Sequence, residues 1–224
     1  MPDDNQYVEV ATGVTNTTPN SNVDVFLSLD GPPICTNMSD SEFRHSVMKL
    51  RDEAVILVSQ RLNELAQWSH QDQQRVADWF GKNDSVVRNR LISGLTALNQ
   101  VMQGLGPKNF LRASADLDRH LGCLPNLKNV QNEIAHVCAP NTATHTICIR
   151  ENFCTMNERD MFADSRLSTI IHEVTHFYDT FSAKDNMYTV SSYLAIWGQK
   201  NPEMAIDNAD SIAGYVVYGE DLQS

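Results

Sequence analysis

The chain has 224 residues, of which 42% are hydrophobic and 20% charged, and its formal net charge is −11 at pH 7. This is the composition of a globular protein with a sizeable core, and the sequence has no run of 18 apolar residues that would form a membrane span. The net charge argues against a nucleic-acid partner, because the phosphate backbone would be repelled.

The first 34 residues differ from the rest and predict an N-terminal arm or linker, whereas residues 35–224 predict the folded domain. The segment ATGVTNTTPNSN is rich in threonine and asparagine, as linkers are, and VDVFLSL alternates as a short strand does. The start, MPDDNQYVEV, lacks the basic and apolar regions of a secretory signal peptide. We therefore expect a cytosolic chain, a chain whose signal was removed, or one exported by another route.

Three helices are predicted between Ser39 and Gly106. Ser39 and Glu42 have the spacing of a capping box, and a long amphipathic helix follows them. The segment QDQQRVADWFG predicts a second, short helix that ends at Gly81. The segment SVVRNRLISGLTALNQVMQGLG predicts a third helix, which ends at Gly104 and Gly106.

The second half of the chain begins with irregular, β-rich sequence over residues 107–155. NEIAHVC and HTICIREN are its candidate strands. Helical spacing returns after Asp164, where DSRLSTIIHEVTHFYDTF predicts one helix. YTVSSYLAIWGQK and PEMAIDNADSIAGYVVYG predict two more, the second opening with Pro202. The sequence therefore predicts an α+β fold that is mainly helical with a small β-sheet.

The chain contains five cysteines but no C-x-x-C pair, which argues against a zinc knuckle built from thiolates. Four of them lie within residues 123–154, which favours one or two disulfides and an oxidising compartment. The alternative is a set of buried free thiols. The odd count leaves at least one cysteine unpaired unless it bridges two chains. The five are Cys35, Cys123, Cys138, Cys148 and Cys154.

The segment HEVTH carries two histidines, His172 and His176, at a spacing that puts both on one face of a helix. Both imidazoles can therefore bind one zinc ion. Glu173, one step round the helix, can take a proton from a water that the metal activates, which is the arrangement of a metallopeptidase. The alternative is a core helix with two histidines. The remaining histidines are expected to be structural or exposed: His45, His70, His120, His136 and His145.

A catalytic zinc site needs a third protein ligand. Ser182 and Asp179 stand where one class of zinc peptidases has a third histidine and a glycine, so that class is excluded. Two solutions stay open, namely Glu203 on a following helix and Asp185 in the loop after the active-site helix. Asp179 lies on the same helix as His176 and is badly placed to reach the same metal.

HEVTH and the following SAKDNMYT match a longer signature, H-E-x-x-H followed by G-T-x-D-x-x-Y-G. The matching residues are His172, Glu173, His176, Asp185 and Tyr188. The departures are Ser182, Ala183 and Thr189, which replace glycine, threonine and glycine. Through these residues the chain resembles the aspzincins, the deuterolysin-like metalloendopeptidases that include fungal lysine-specific enzymes. WFG, ICIRENF and DNADSIAGYV are further similar segments, and the resemblance spans residues 35–218.

The resemblance implies a zincin-like metalloprotease fold, with the H-E-x-x-H motif on an active-site helix and Zn2+ as the cofactor. His172, His176 and Asp185 would bind the zinc. Glu173 would be the general base and then the proton donor to the leaving amine. Tyr188 would donate a hydrogen bond to the developing oxyanion. The alternative for the tyrosine is a packed aromatic side chain.

DNADSIAGYV resembles the family segment NADSYEYF, whose aspartate and following glutamate hold a substrate lysine in the lysine-specific members. Asp210 keeps the aspartate and is expected to bind substrate, whereas Ala213 stands at the glutamate position. The resemblance therefore implies a preference for a basic residue after the scissile bond, without strict lysine specificity. The alternative for Asp210 is a buried acid that forms hydrogen bonds within the protein.

These observations predict a monomeric zinc endopeptidase that acts on proteins or peptides and is secreted or delivered outside the cell. A second hypothesis keeps the chemistry but takes cell-wall peptides as substrate, as a toxin or effector would. A third is a metal-binding homologue without catalysis, and the intact Glu173 argues against it.

Overall fold

A computed structural model describes residues 7–14, 22–28, 33–124 and 131–220. It confirms a mainly helical fold with a small β-sheet. Within the described residues, no helix combines the length and the apolar character needed to cross a bilayer. The elements are β1 (Tyr7–Val14), β2 (Asn22–Ser28), α1 (Asp40–Gln67), α2 (His70–Phe80), α3 (Ser85–Gly104), β3 (Phe110–Arg112), α4 (Ala115–His120), β4 (Ala135–Val137), β5 (Ile147–Ile149), α5 (Glu151–Thr155), α6 (Arg166–Thr175), α7 (Ser192–Lys200), α8 (Pro202–Ala205) and α9 (Ala209–Val217).

β1 and β2 form an antiparallel hairpin near the start of the chain. β2 coincides with the predicted strand, whereas β1 was not predicted. Residues 15–21 of the predicted linker lie outside the described part of the chain. The division into an arm of residues 1–34 and a domain of residues 35–224 stays a prediction.

The first three helices begin and end close to the predicted residues. Ser39 Oγ accepts the N–H of Glu42, and the Glu42 carboxylate accepts the N–H of Ser39, which is the predicted capping box. α2 has the same kind of cap at Ser69 and ends at Gly81, whose φ of 68° suits glycine. α3 ends at Gly104, as predicted. α1 packs against α3 and against α6, which carries the candidate site.

The small sheet has the strand order β3-β5-β4. The central strand β5 is parallel to β3 and antiparallel to β4. β4 and β5 fall within the two predicted strand segments, whereas β3 was not predicted. Among the described strands β4 pairs with β5 alone, so its other edge keeps unpaired backbone N–H and C=O groups.

α6 is the central helix of the domain and packs against α1, α3 and α9. Ile170 and Val174 on this helix are completely buried. The helix predicted over residues 164–181 is shorter in the structure, because it ends at His176. Thr180 Oγ1 donates to the carbonyl oxygen of Val174 at 2.6 Å and closes a turn where another helical turn was predicted. The predicted C-terminal end of this helix is therefore wrong.

The helix predicted over residues 202–219 is two helices, α8 and α9, and the prediction is wrong at its centre. Asn208 separates them, because its side-chain oxygen accepts the backbone N–H groups of Asn186 at 2.8 Å and Met187 at 2.9 Å. Its backbone also forms a β-bridge with Lys184. These contacts fix the loop that follows α6 against the start of α9.

All five cysteines lie in the described part of the chain. Cys35 pairs with Cys154 across a separation of 119 residues, and Cys123 pairs with Cys138 across 15. Cys148 is free and buried. The prediction of one or two disulfides is confirmed, and the odd cysteine is a free thiol in the central strand β5.

Candidate metal centre

Three side chains predicted to bind a metal meet at the end of α6. His172 lies in the last turn of the helix, His176 is its C-cap, and Asp185 comes from the following loop. Asp185 Oδ1 lies 3.3 Å from the Nε2 atom of each histidine. The two Nε2 atoms are 3.1 Å apart. The three donor atoms therefore converge on one point.

This spacing fits a tetrahedral zinc ion. Ligand atoms about 2.0–2.1 Å from zinc lie about 3.3–3.4 Å from one another on a tetrahedron. The three observed separations are 3.1, 3.3 and 3.3 Å. Three protein ligands would leave the fourth position of such a metal to water or substrate, as in catalytic zinc sites.

Each histidine is oriented through its other ring nitrogen. Asp210 Oδ1 lies 2.5 Å from His172 Nδ1, and the backbone oxygen of Ala183 lies 2.9 Å from His176 Nδ1. Because these oxygens can only accept, each Nδ1 is assigned the proton and each Nε2 directs its lone pair at the shared point. Two lone pairs and the carboxylate oxygen of Asp185 repel one another unless a proton or a metal ion lies between them.

The pKa shifts of Asp185, His172 and His176 arise from the close contacts among these three side chains. Burial alone would raise the pKa of Asp185, but hydrogen bonding to His172 and His176 outweighs burial and holds it well below its usual range. Burial alone would lower the pKa of both imidazoles, but hydrogen bonding to Asp185 raises it in each. Asp210 raises the pKa of His172 further. All of these shifts favour a positive charge beside an ionised Asp185, and a metal ion supplies one.

Backbone hydrogen bonds hold the loop that carries Asp185. The N–H of Ala183 donates to the carbonyl of Thr175 in α6 at 3.0 Å, and the N–H of Lys184 donates to the carbonyl of Asp207 at 2.8 Å. Asp207 lies shortly before α9. The loop is therefore fixed to two elements of the core, and Asp185 reaches the histidines from a set backbone position.

Two residues of this region have a left-handed backbone without being glycine. φ is 52° at Ser182 and 77° at Thr189. These are the two positions at which the aspzincin signature has glycine. A β-branched residue adopts this conformation only with strain, which the surrounding contacts must hold in place. Both positions therefore have the backbone conformation that favours glycine, although neither residue is glycine.

Replacing Thr189 with glycine should raise the free energy of unfolding by about 1 kcal/mol. Relief of about 1–3 kcal/mol of backbone strain exceeds the entropic cost of a glycine, which is about 0.5–1 kcal/mol. Urea unfolding measures the change. Thr189→Ala is the control, because alanine keeps the Cβ atom and should give no comparable gain. A glycine variant less stable than the wild type would show that Thr189 carries no strain.

Glu173 lies on α6 beside the metal-binding point and is 4% exposed. It lines the same cavity as the histidines but does not belong to the converging donor atoms. Burial raises its pKa, whereas the neighbouring imidazoles of His172 and His176 lower it. The net shift is upward, as in carboxylates that transfer protons near neutral pH.

Tyr188 lines the cavity with a side chain that is 63% exposed. The exposure disfavours the alternative of a packed aromatic ring. Burial of its hydroxyl, with the charge of Asp185 and hydrogen bonding to it, raises the pKa of the phenol. The hydroxyl therefore stays protonated at neutral pH and can donate a hydrogen bond.

The other carboxylates considered as a third ligand make contacts elsewhere. Glu203 pairs with Lys82 and has a side chain that is 83% exposed. Asp179 Oδ2 lies 2.9 Å from His145 Nε2. Neither residue belongs to a group of donors close enough to share one ion in the part of the chain that the structure describes. Of the two ligands left open by the sequence, the geometry favours Asp185.

The converging donors line a cavity of about 770 Å³. Another part of its wall is the edge strand β4 with the residues beside it. Among the described residues, six carboxylates line the cavity and no lysine or arginine does, so the cavity is negatively charged. The six are Asp118, Glu133, Asp164, Glu173, Asp185 and Asp210.

Asp210, predicted to bind substrate, uses both carboxylate oxygens for contacts within the protein. Its Oδ1 faces His172 Nδ1, and its Oδ2 accepts the N–H of Thr189 at 2.8 Å. The residue is 8% exposed although it lines the cavity. Its contacts are those of the alternative, a buried hydrogen-bonding acid, and they orient one of the converging histidines.

Replacing Asp210 with asparagine should weaken zinc binding by about 10–100-fold, the range found for partners of metal-binding histidines. Asp210 accepts from both His172 and Thr189, whereas an amide has one acceptor oxygen and leaves one of these donors unpaired. Competition with a chelator measures the affinity. Asp207→Asn is the matched control, because that half-exposed side chain pairs with Arg90. Equal affinities in the two variants would contradict an orienting role for Asp210.

Sequence reasoning missed other residues of the cavity. Asp164 was predicted only to lie near a helix start, but its Oδ1 accepts the N–H of Val190 at 2.7 Å and it lines the cavity. Burial raises its pKa. His136 was expected to be structural or exposed, and it lines the cavity from β4. No local pattern marks either residue, because both reach the cavity through tertiary packing.

A protein-family model and a solved structure are both similar to this chain. The aspzincin family model, described as lysine-specific metallo-endopeptidase, matches residues 65–217. Among solved structures, a zinc peptidase from Grifola frondosa has a TM-score of 0.59 and 20% sequence identity, over 80% of this chain and 96% of that chain. No curated protein matches the sequence.

The structural match confirms the predicted fold, since it covers nearly the whole of the zinc peptidase. The family match covers well over half of the chain and includes every element from α2 to α9. The chain therefore belongs to the aspzincin family, whose members are zinc metallopeptidases with zinc as their cofactor.

Proposed function

We propose that this zinc metallopeptidase is an endopeptidase that uses Glu173 as its general base. One observation carries the proposal. Three donor atoms within 3.1–3.3 Å of one another share a cavity with a buried glutamate and an exposed tyrosine. A metal-binding module needs the donors alone, whereas hydrolysis also needs a proton acceptor and an oxyanion donor.

His172, His176 and Asp185 would hold the zinc ion. The bound ion would supply Lewis acidity, lowering the pKa of a water to about 7 and polarising the scissile carbonyl. Asp210 and the carbonyl of Ala183 would keep the two imidazoles turned so that their Nε2 atoms face the ion.

Glu173 would take a proton from the attacking water and later give it to the leaving amine. A carboxylate with both duties is most effective when its pKa lies near the working pH. Burial of Glu173 raises its pKa, and the nearby imidazoles limit the rise. Its position among the cavity residues gives it access to substrate and water.

Tyr188 would donate a hydrogen bond to the oxyanion that forms when the carbonyl is attacked. Its hydroxyl has a raised pKa and so remains a donor at neutral pH. Its side chain is exposed in the cavity, so it can rotate towards a substrate. A donor of this kind acts mainly in the transition state.

Replacing Tyr188 with phenylalanine should lower kcat by about 100-fold, the lower end of the range for a lost oxyanion donor. KM and zinc content should stay close to those of the wild type, because the ring remains and no metal ligand is removed. Steady-state hydrolysis of a synthetic peptide gives kcat and KM. Tyr193→Phe is the control, since that tyrosine is 66% exposed and does not line the cavity. Unchanged kcat in Tyr188→Phe would remove Tyr188 from the mechanism.

The edge strand β4 supports cleavage inside a chain. Ala135, His136 and Val137 line the cavity, and β4 has an unpaired edge among the described strands. An extended peptide can add to such an edge through backbone hydrogen bonds. A substrate held in this way continues on both sides of the scissile bond, which is the binding mode of an endopeptidase.

The charge of the cavity supports a preference for basic residues. Six carboxylates and no lysine or arginine line it in the described part of the chain, so a cationic side chain is attracted. Ala213 removes one of the two acids that hold lysine in the lysine-specific relatives, and Asp210 is occupied by His172 and Thr189. We therefore expect enrichment of lysine and arginine after the cut, without strict specificity.

The two disulfides support action outside the reducing cytosol. We propose secretion or another form of export on this ground. Protein and peptide substrates of the extracellular space would then be the natural targets.

Incubation of the purified protein with casein and with a mixed peptide library tests the function. We expect internal cleavage, with lysine and arginine enriched at the new N-termini identified by mass spectrometry. A zinc chelator should abolish the cleavage, and added zinc should restore it. Release of terminal residues alone would contradict endopeptidase action. Cleavage of wall peptides without cleavage of any protein would favour the effector hypothesis instead.

A further inference from the structure

A second group of donor atoms lies in the same fold, separate from the centre described above. In the ladder between β4 and β5, His136 is opposite Cys148, and paired residues project from the same face of a sheet. Asp118 approaches from α4, and its Oδ1 lies 2.7 Å from His136 Nε2. One carboxylate oxygen, one imidazole nitrogen and the Cys148 sulfur all lie within 4.8 Å of one another.

The covalent structure holds this group together. The disulfide between Cys123 and Cys138 joins the chain just after α4 to the chain just after β4. Asp118 and His136 therefore sit on two cross-linked elements. Cys148 lies in the central strand and is completely buried, and Asp118 is 4% exposed. Side chains fixed in this way are pre-organised to act as ligands.

Glu133 supports the imidazole from its other side. Its Oε2 lies 3.1 Å from His136 Nδ1 and also accepts a hydrogen bond from Arg150 Nε at 2.6 Å. Nδ1 is buried and makes no hydrogen bond, so its contact with Glu133 is electrostatic. A carboxylate next to the ring nitrogen that does not bind the metal is the usual partner of a metal-binding histidine.

Acidic groups surround His136. The carboxylates of Asp118 and Glu133 lie 2.7 and 3.1 Å from its two ring nitrogens, and Cys148 is opposite it in the ladder. A metal ion bound between Asp118, His136 and Cys148 would balance the negative charge of these groups.

We propose that Asp118, His136 and Cys148 form a second zinc site. Thiolate sulfur, imidazole nitrogen and carboxylate oxygen are the ligand types that zinc takes in proteins. Ligand atoms on a tetrahedral zinc lie about 3.3–3.8 Å apart. The three donors lie within 4.8 Å of one another, so binding one ion would require side-chain shifts of no more than about 1.5 Å. Asp118 and His136 line the cavity, so the fourth position is open to water or to a substrate group.

Cobalt(II) distinguishes the two centres, because a thiolate bound to cobalt gives an intense charge-transfer band in the near ultraviolet. The first centre contains no sulfur, and Cys148 is free while the other four cysteines form disulfides. Disulfide-intact wild type loaded with Co²⁺ should show the band, and the zinc-loaded protein should contain about two ions per chain. Cys148→Ser should lose the band, whereas His172→Ala should keep it.

The two variants also separate the centres by stoichiometry, since each should bind about one zinc ion. Asp118→Asn provides a third variant that keeps the side-chain shape. Its affinity for Co²⁺, followed by the charge-transfer absorbance, should be at least about 10-fold weaker than that of the wild type. Wild type with about one zinc ion per chain and no charge-transfer band would overturn the proposal. That measurement does not depend on the folding of any variant.

The test of the second zinc site does not depend on the proposed endopeptidase activity. A protein that binds both zinc ions and hydrolyses no peptide would contradict the endopeptidase proposal and leave the second site standing. A protein that hydrolyses peptides with a single bound zinc ion would support the endopeptidase proposal and contradict the second site. In the second case Asp118, His136 and Glu133 form an ion-paired network around a protonated imidazole.

Discussion

Replacing Glu173 with glutamine should lower kcat by about 1,000-fold while the zinc stays bound, since general acid–base catalysis contributes about 10²–10⁴-fold. Glutamine has the size of glutamate, so a site that is 4% exposed is filled as before. The amide cannot take a proton from the attacking water. Turnover of a peptide that the wild type cleaves and zinc content per chain are the two measurements.

Glu203→Gln is the matched control for this change. It removes the same charge from a side chain that is 83% exposed and paired with Lys82, so turnover should stay close to that of the wild type. Glu173→Gln with more than about a tenth of wild-type turnover would mean that another group is the base. Asp164 would then be the candidate, because it lines the cavity and burial raises its pKa.

Most helix ends in the first half of the chain could be predicted from the local sequence. Ser39 with Glu42, and Gly81 after α2, mark helix ends through contacts within one turn, so the sequence alone reveals them. The helix ends that were missed depend on contacts from elsewhere in the chain. Asn208 breaks a helical pattern because the loop at residues 186–187 binds its side chain. Such a contact has no local signature.

The turn after α6 shows a different limit of sequence reasoning. Ser182 and Thr189 replace the two glycines of the family signature, and neither residue type indicates a left-handed backbone. The sequence therefore gives no sign of the left-handed backbone at these two positions. The structure has positive φ at both positions. The hydrogen bonds of Ala183 and Lys184 fix the backbone just after Ser182, and Asp210 Oδ2 accepts the N–H of Thr189.

The remaining features depend on contacts between residues that are far apart in the chain. Five cysteines do not specify their pairing, and the bond between Cys35 and Cys154 spans 119 residues. The position of Asp210 in the family segment indicated substrate binding, but its two hydrogen-bond partners come from α6 and from the loop before α7. Only the tertiary structure brings these groups together.

Replacing Asp185 with alanine should weaken zinc binding by more than about 100-fold, beyond the 10–100-fold typical of the outer partners of ligands. Turnover should fall in parallel. Asp185 Oδ1 lies 3.3 Å from the Nε2 atoms of His172 and His176. The two imidazoles alone would leave the ion fewer than the three protein ligands of catalytic zinc sites. Competition with a chromophoric chelator measures the affinity without relying on activity.

Glu203→Ala decides between the two ligands that the sequence left open, and it should keep both zinc and turnover. The hydrogen bonds of Ala183 and Lys184 fix the loop that places Asp185 Oδ1 3.3 Å from both histidine Nε2 atoms. Glu203 would first have to break its ion pair with Lys82, which disfavours it as a ligand. Loss of zinc in Glu203→Ala together with retention in Asp185→Ala would reverse this argument, because the third ligand would then come from α8.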